Sequence, residues 1–402
     1  MHETVRAYAR AQLDASGEAQ ALRQRHARHM LALAQGGAQE ATQALSKPLL
    51  PDRDHDNLRA ALDWAARHDI ALALQLAAAA GPFWRRRGHH AEARQRGAAL
   101  LAHPGAADPA HTLLRGELHL ALCAIAAELD DHAALQTHAE AARATPWPAG
   151  RHREPGLALA WLATRHLMRQ ELDEAQTMFR QALAHCHASG EREGLANVLN
   201  NLAWLAMQDQ RLHEVRPLLD EAMALGSALG SRWSMAVTLE NLGELCYLNG
   251  DNAAAHGHWC AALEGHQALG HLHRAALVQL HLALALCRMQ RLAEARAMLD
   301  AGLKTAQRQG FAGATADGLG VLAAWLLAAR AQAGAPDAAA LLASAARLRS
   351  HGQLRRSLII ERDEAASAQQ ARAWLGEAAW QAALRNADHL IPEQAVAATF
   401  GA

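Results

Sequence analysis

The 402-residue sequence lacks the short motifs that mark a reaction. It contains no GxxxxGK(S/T) phosphate-binding loop, no HExxH, no GxSxG and no CxxC. Those absences remove the usual signatures of nucleotide hydrolysis, zinc proteolysis, serine-nucleophile chemistry and paired-thiol chemistry. No paired-carboxylate constellation can be singled out either, and the chain reads as a non-enzyme. Charge of one sign is also missing: 39 basic and 40 acidic residues give a formal net charge of −1. Neither half forms a basic module, which argues against direct nucleic-acid binding. There is no uninterrupted apolar run long enough for a membrane span, and the N-terminus has no apolar signal segment. The five cysteines (Cys123, Cys186, Cys246, Cys260, Cys287) read as small core residues of a reduced, cytoplasmic protein. No cofactor is expected.

What the chain has in abundance is alanine and leucine, arranged with a period. Leu162, Leu202, Leu242 and Leu282 are 40 residues apart, followed by Ala163, Ala203, Gly243 and Ala283. Ala175, Val215, Ala255 and Ala295 keep the same step, as do Ala182, Ala222, Ala262 and Gly302. Each unit closes on a glycine: Gly190, Gly230, Gly270 and Gly310. A fixed period of this size marks a repeat array. In the first unit, Leu159, Leu162, Ala163 and His166 recur at helical spacing, then comes the polar turn 170–174. Ala175, Phe179, Ala182 and Leu183 form the stripe of a second helix. Small residues at 163 and 175 permit close helix approach, and the closing glycines suit a left-handed position after a helix. One hairpin cannot bury its apolar face alone, whereas stacked hairpins can. The expected fold is therefore all-α, a solenoid of stacked helical hairpins.

The spacing resembles the tetratricopeptide repeat. Ala163, Ala175, Phe179 and Ala182 match its small and aromatic positions, as do Ala203, Val215, Leu219 and Ala222, and Gly243, Ala255, Trp259 and Ala262. The resemblance implies a right-handed α-solenoid. The family's usual unit is about 34 residues, so extra residues are expected in the second helix or the link after it. Its first-helix tryptophan is replaced by Leu159, Leu199, Leu239 and Gln279.

Two further stretches resemble large bacterial regulators, signal-transduction ATPases of the STAND type, the first of them the end of their winged-helix region. One runs from Glu3-Thr4-Val5-Arg6-Ala7-Tyr8-Ala9 through Ser16-Gly17-Glu18 to Arg25-His26-Ala27-Arg28-His29-Met30. The other holds Asp54-His55-Asp56-Asn57-Leu58 to Trp64, then Phe83-Trp84 and Arg87-Gly88-His89. The resemblance implies the repeat-bearing sensor half of a transcriptional regulator. The missing phosphate-binding loop means that the family's ATPase chemistry maps onto no residue here. Either the sequence is a piece of a longer protein, or its gene encodes the helical half alone.

Four regions follow. Residues 1–50 hold two helices broken at Ser16-Gly17 and a linker beginning at Gly36-Gly37, which runs to about 56, with Asp54 or Asp56 as a cap. Residues 51–150 hold two divergent repeats and the loop Pro146-Trp147-Pro148. Residues 151–311 hold the four regular repeats. Residues 312–402 hold a divergent repeat with a turn at 334–337 and its second helix at 338–348. One amphipathic helix stretch at 361–385 and a short last helix from Pro392-Glu393 complete the cap.

The resemblance places first helices on the concave face. There Asn197, Asn200, Asn201, Trp204 and Gln208 follow helical spacing and share one face. Glu240, Asn241, Glu244 and Tyr247 correspond in the next unit. Asparagine carries a donor and an acceptor suited to a peptide main chain, and Trp204 and Tyr247 add apolar surface with a polar tip. The expected partner is a peptide, protein or small-molecule signal in this groove, with an ATPase module in cis or in trans. A stand-alone adaptor without a switch is the other reading. Asparagines at these positions equally suit bridging between neighbouring helices. The histidine pairs His185/His187, His256/His258 and His271/His273 point apart on a helix and chelate poorly, so no metal site is expected. His26 and His29 share a face but lack an acidic or thiol partner. Arg85-Arg86-Arg87 fits a solvated helix end, or a contact with phosphate or an acidic partner.

Overall fold

The computed structural model describes residues 12–43 except 14, and 54–386 except 130, 170, 353, 355 and 356. The run 3–9, Pro48, Pro51 and Pro392-Glu393 lie outside the described residues. Within them every regular element is a helix. Helices α1 (Ala19–Gln43), α2 (His55–His68) and α3 (Ile70–Arg87) pack together at the N-terminal end. Helix α3 also pairs with α4 (His90–Leu101), and α5 (Thr112–Glu128) pairs with α6 (His132–Ala144). The regular array follows as α7 (Arg153–Met168) with α8 (Leu172–Ser189), and α9 (Arg192–Gln208) with α10 (Leu212–Leu229). Next are α11 (Arg232–Leu248) with α12 (Asn252–Ala268), and α13 (Leu272–Arg288) with α14 (Leu292–Gln309). The C-terminal units are α15 (Ala312–Arg330) with α16 (Ala335–Gly352), and α17 (Leu358–Leu375) with α18 (Glu377–Asn386). Each hairpin packs on the next, giving an all-α solenoid.

The periodic residues form the core. Ala163, Ala203 and Ala283, the whole 175/215/255/295 set, and Phe179, Leu219, Trp259 and Leu299 are all 0 % exposed. Burying a large side chain of this kind contributes about 1.5–3 kcal/mol, repeated once per unit. The third unit shows how tight the fit is. Where its neighbours have phenylalanine or leucine it has Trp259, and where they have alanine it has Gly243. A Cβ on Gly243 would lie 2.4 Å from Trp259 Nε1. The indole N–H donates to Glu240 O at 3.0 Å. A larger side chain on one helix is thus matched by a smaller one on its partner.

Links fix the period. Gly190, Gly230 and Gly310 adopt left-handed φ of 65°, 61° and 70°, so the chain reverses in two residues. Glu191, Ser231 and Phe311 then donate their N–H groups back to Cys186, Gly226 and Ala306, which satisfies carbonyls at the helix end. Because these links are short, the length beyond a 34-residue unit lies in the helices and not in the links. Inside the hairpins, Gln210, Gly250 and Gln290 carry φ of 56°, 83° and 60°, so two of the three turns force a side chain into a left-handed backbone.

Four sequence expectations change. The helix α1 continues through Gly36-Gly37 to Gln43, where a linker was expected. Asp54 stands at the cap of α2 without accepting from its backbone; its carboxylate accepts from Asn57 Nδ2 at 3.0 Å. The turn at 334–337 is a 3₁₀ segment, Ala331–Gly334, and α16 starts at once with Pro336 in its first turn, where a missing N–H costs nothing. The stretch 361–385 is two helices, broken at Gly376, whose φ is 75°.

The solenoid curves strongly. Arg85 lies 6.0 Å from the Trp233 ring, and His90 lies 5.6 Å edge-on to Phe311. Glu128, at the end of α5, accepts from Arg85 at 2.7 Å and from His90 at 2.8 Å. The end of α3 and the start of α4 therefore meet the starts of α11 and α15, and one turn of the superhelix closes on the next. Two stability measurements test these packing arguments. Gly243→Ala should cost about 1–3 kcal/mol by overpacking, and Trp259→Leu in the same chain should recover part of that loss, since Ala with Leu is the pair used at 203/219 and 283/299; simple additivity in denaturant melts would contradict the matched fit. Gln210→Gly should be neutral or stabilising by up to about 1 kcal/mol, because it relieves left-handed strain, while Gly250→Gln should destabilise.

Candidate functional site

Helix α9 begins where Glu191 caps Gly194 N–H at 3.2 Å and carries the amide-rich stripe. Asn197, Asn201, Trp204 and Gln208 are half-buried on one open face. Asn200 departs from the stripe. It sits about 60° round the helix from Asn197, towards α11, and is 1 % exposed. Its Nδ2 donates to Ala196 O and to Thr238 Oγ1, both at 3.0 Å. Asn241 Nδ2 donates to Asn200 Oδ1 at 3.1 Å, and the Thr238 hydroxyl donates to Ser234 O at 2.8 Å. Asn200 and Asn241 thus form a clasp between neighbouring units rather than an exposed pair.

The four residues expected on α11 are all buried: Glu240, Asn241, Glu244 and Tyr247. The sequence expectation of a second open stripe corresponding to that of α9 is corrected here. Glu240 meets His266 at 3.2 Å and Arg274 at 3.1 Å. Burial pushes its carboxyl up, but Arg274 and His266 outweigh that and hold it down to about 2. Tyr247 donates its hydroxyl to Asp363 Oδ2 at 2.7 Å, and burial followed by Asp363 drives its pKa upward. Asp363 belongs to α17, 116 residues away. Such a contact across three units is possible only between helices on the inner side of the curve. It therefore sets α11 and α17 on the concave face and covers the C-terminal ends of α11 and α13, at Tyr247 and Arg288. Helix α7 shares the openness of α9, with Leu157, Trp161, Thr164 and Arg165 half-buried at helical spacing. Sequence spacing flagged α9 by its asparagines but passed over the α7 stripe, which has no repeated polar residue.

Other candidates resolve as structure. Arg85 is not a solvated helix end; it is bound to Glu128 and faces Trp233. The one group of three ligating side chains among the described residues is His55, His89 and Glu92, with donor atoms within 4.8 Å. It was missed in the sequence because His55 lies 34 residues before His89. The two imidazoles stack at 4.0 Å and 26°, so their in-plane lone pairs run side by side instead of converging. Both Glu92 oxygens already accept from Arg59, and Arg96 donates to one of them. Burial raises its carboxyl, and the two arginines overcome this and bring it to about 2. Two guanidinium groups beside the donors repel a cation, so the cluster is an ion network joining α2 to α4. The described cysteines are free thiols, three of them buried, and burial raises Cys186 to about 11.

No family model matches this chain, and no curated protein matches it. Among solved structures, a Rap protein in complex with competence and sporulation factor superimposes with a TM-score of 0.59 at 14 % identity. That match covers 94 % of this chain and 99 % of that one. A signal transduction ATPase with numerous domains, carrying a tetratricopeptide repeat sensor, from Pyrococcus horikoshii matches at a TM-score of 0.51 and 12 % identity. It covers 83 % of this chain and 52 % of that one, so this chain spans about half of that protein's length. The fold is that of the tetratricopeptide-repeat solenoids. At these identities the likeness speaks for the fold.

Two substitutions separate clasp from groove, and a third tests a buried histidine. Asn200→Ala should cost about 1–3 kcal/mol, because it leaves buried donors and acceptors of α11 unpaired, whereas Asn201→Ala should stay within about 0.5 kcal/mol of the parent; equal effects in denaturant titrations would contradict the assignment. His281, buried beside Trp259 at 5.3 Å, is lowered from 6.5 to about 4 mainly by burial, with Glu240 opposing. Its folded pKa lies below the unfolded one, so the unfolded chain binds the proton first. Its stability contribution is full above pH 6.5 and is lost as the pH falls to about 4, by on the order of 3 kcal/mol at most. His281→Gln should flatten that part of the melting temperature against pH curve, and an unchanged slope would contradict the assignment.

Proposed function

We propose that this chain is a non-catalytic tetratricopeptide-repeat scaffold that binds a peptide, or a peptide segment of a protein, across the open face of α7 and α9. The observation that supports this most is the contrast between α9 and α11. Asn197, Asn201 and Trp204 are partly exposed on one helix, whereas Val237, Asn241 and Glu244, forty residues on, are buried. Side-chain amides can pair with a main chain whatever sequence it carries, and a half-exposed tryptophan offers the rigid apolar anchor that dominates such contacts. The Rap structure, solved with competence and sporulation factor, lends weight to a peptide as the ligand class.

The role proposed for this binding is sensing within a bacterial transcriptional regulator. The N-terminal stretches that resemble STAND regulators support it, as does the shared fold with the sensor of the Pyrococcus horikoshii protein. Binding would then shift an equilibrium between two states that differ in affinity for the peptide, read out by an ATPase module in cis or in trans.

The test is selection of peptides from a displayed random library against the full chain, followed by substitution. Trp204→Ala should weaken a selected peptide by about 2 kcal/mol, roughly thirtyfold, and Asn197→Ala, Asn201→Ala and Gln208→Ala should each weaken it less. Peptides whose affinity ignores all four substitutions would overturn the site.

A further inference from the structure

Helix α17 has two jobs in the fold. Ile359, Ile360 and Ala371 are buried against α15 and α16, as a first helix of the next unit should be. It is also turned inward, and two adjacent carboxylates fasten it there. Asp363, 8 % exposed, accepts from Tyr247 at 2.7 Å and from Arg288 at 2.5 Å. Glu364 accepts from both terminal nitrogens of Arg349, which also donates to Asp317. Room for Glu364 comes from Gly320, where a Cβ would lie 2.1 Å from the carboxylate.

The Asp363 contact is unlike the others. Arg288 holds the repeat position of Gln208, two units further along, and half of its side chain remains exposed. Its guanidinium lies 6.0 Å from the Tyr247 ring. Asp363 therefore sits on the continuation of the same inner stripe that α9 leaves open. The stripe ends in a pair of donors, a hydroxyl and a guanidinium, aimed at one carboxylate. A buried ionic contact adds little net stability compared with apolar packing; what it supplies is selection of one partner group.

We infer that α17 is a built-in occupant of the concave groove, and that Tyr247 and Arg288 form a carboxylate socket for which an incoming acidic helical segment competes. This rests on the reading that the groove binds peptides. The chain's own α17 defines the chemistry of the competitor: a helix with a carboxylate at the Asp363 position and a small residue one turn on, as the buried Ser367 is here. When such a segment takes the socket, α17 loses its inner anchor and the closed half of the groove opens.

The experiment uses the full chain and a fluorescent synthetic peptide of residues 357–376 as the probe. In Asp363→Asn, hydrogen exchange over 358–375 should speed up by about tenfold or more while exchange in α9 stays unchanged. The probe should bind this variant at least about tenfold more tightly than it binds the unsubstituted chain. Adding Arg288→Ala should remove that binding, and Arg288→Lys should keep part of it, which separates loss of the socket from misfolding. Unchanged exchange over 358–375 would overturn the inference, and so would a probe that binds equally well with and without Arg288. Both readouts leave Asn197, Asn201, Trp204 and Gln208 intact. A failure here is therefore distinct from a failure of the α9 site, which shows only when those residues are replaced.

Discussion

Everything in this chain depends on how closely two helices of one hairpin can approach. The residues at the contact are alanine or glycine wherever the partner helix presents phenylalanine, leucine or tryptophan, and the Gly243–Trp259 pair shows the match carried to its limit. Close approach buries a continuous core from hairpins that could not bury one alone. It also keeps each unit nearly identical in shape, so small rotations between units add up in one direction.

That accumulated curvature decides where function can reside. It brings the end of α3 and the start of α4 against the starts of α11 and α15, with Glu128 of α5 holding Arg85 and His90 in place. On the inner side it brings α17 to α11, so Asp363 reaches Tyr247. A groove that repeats chemically every forty residues is thereby made unequal: open along α7 and α9, filled from α11 onward. The pattern of exposure, more than the identity of any one residue, separates a recognition surface from a structural one.

Much of the fold was legible in the sequence, because period, small positions and closing glycines are local signals that repeat in step. The boundaries that failed were those without a repeat to calibrate them, such as the helix through Gly36-Gly37 and the break at Gly376. Site reading was harder. Asn200 and Asn201 are one residue apart and identical in chemistry, yet one clasps the next unit and the other lies on the open face, a difference set by 100° of helix rotation. Asn241 keeps the repeat position of Asn201 but has a different environment, since it donates to Asn200 of the preceding unit, whereas the residue that stands at that position before Asn201 is Ala160. The His55–His89–Glu92 cluster and the Asp363 socket were invisible for the same reason: their members come from distant segments.

The central claim is that the concave face is open at α9 and closed at α11. The most direct measurement compares thiol-labelling rates at equivalent positions, with Asn201→Cys and Asn241→Cys introduced separately into the full chain and maleimide modification read residue by residue by mass spectrometry. A thiol at 201 should react many times faster than one at 241, which should react only on local opening. Equal rates at the two positions would show an evenly open groove and contradict the account.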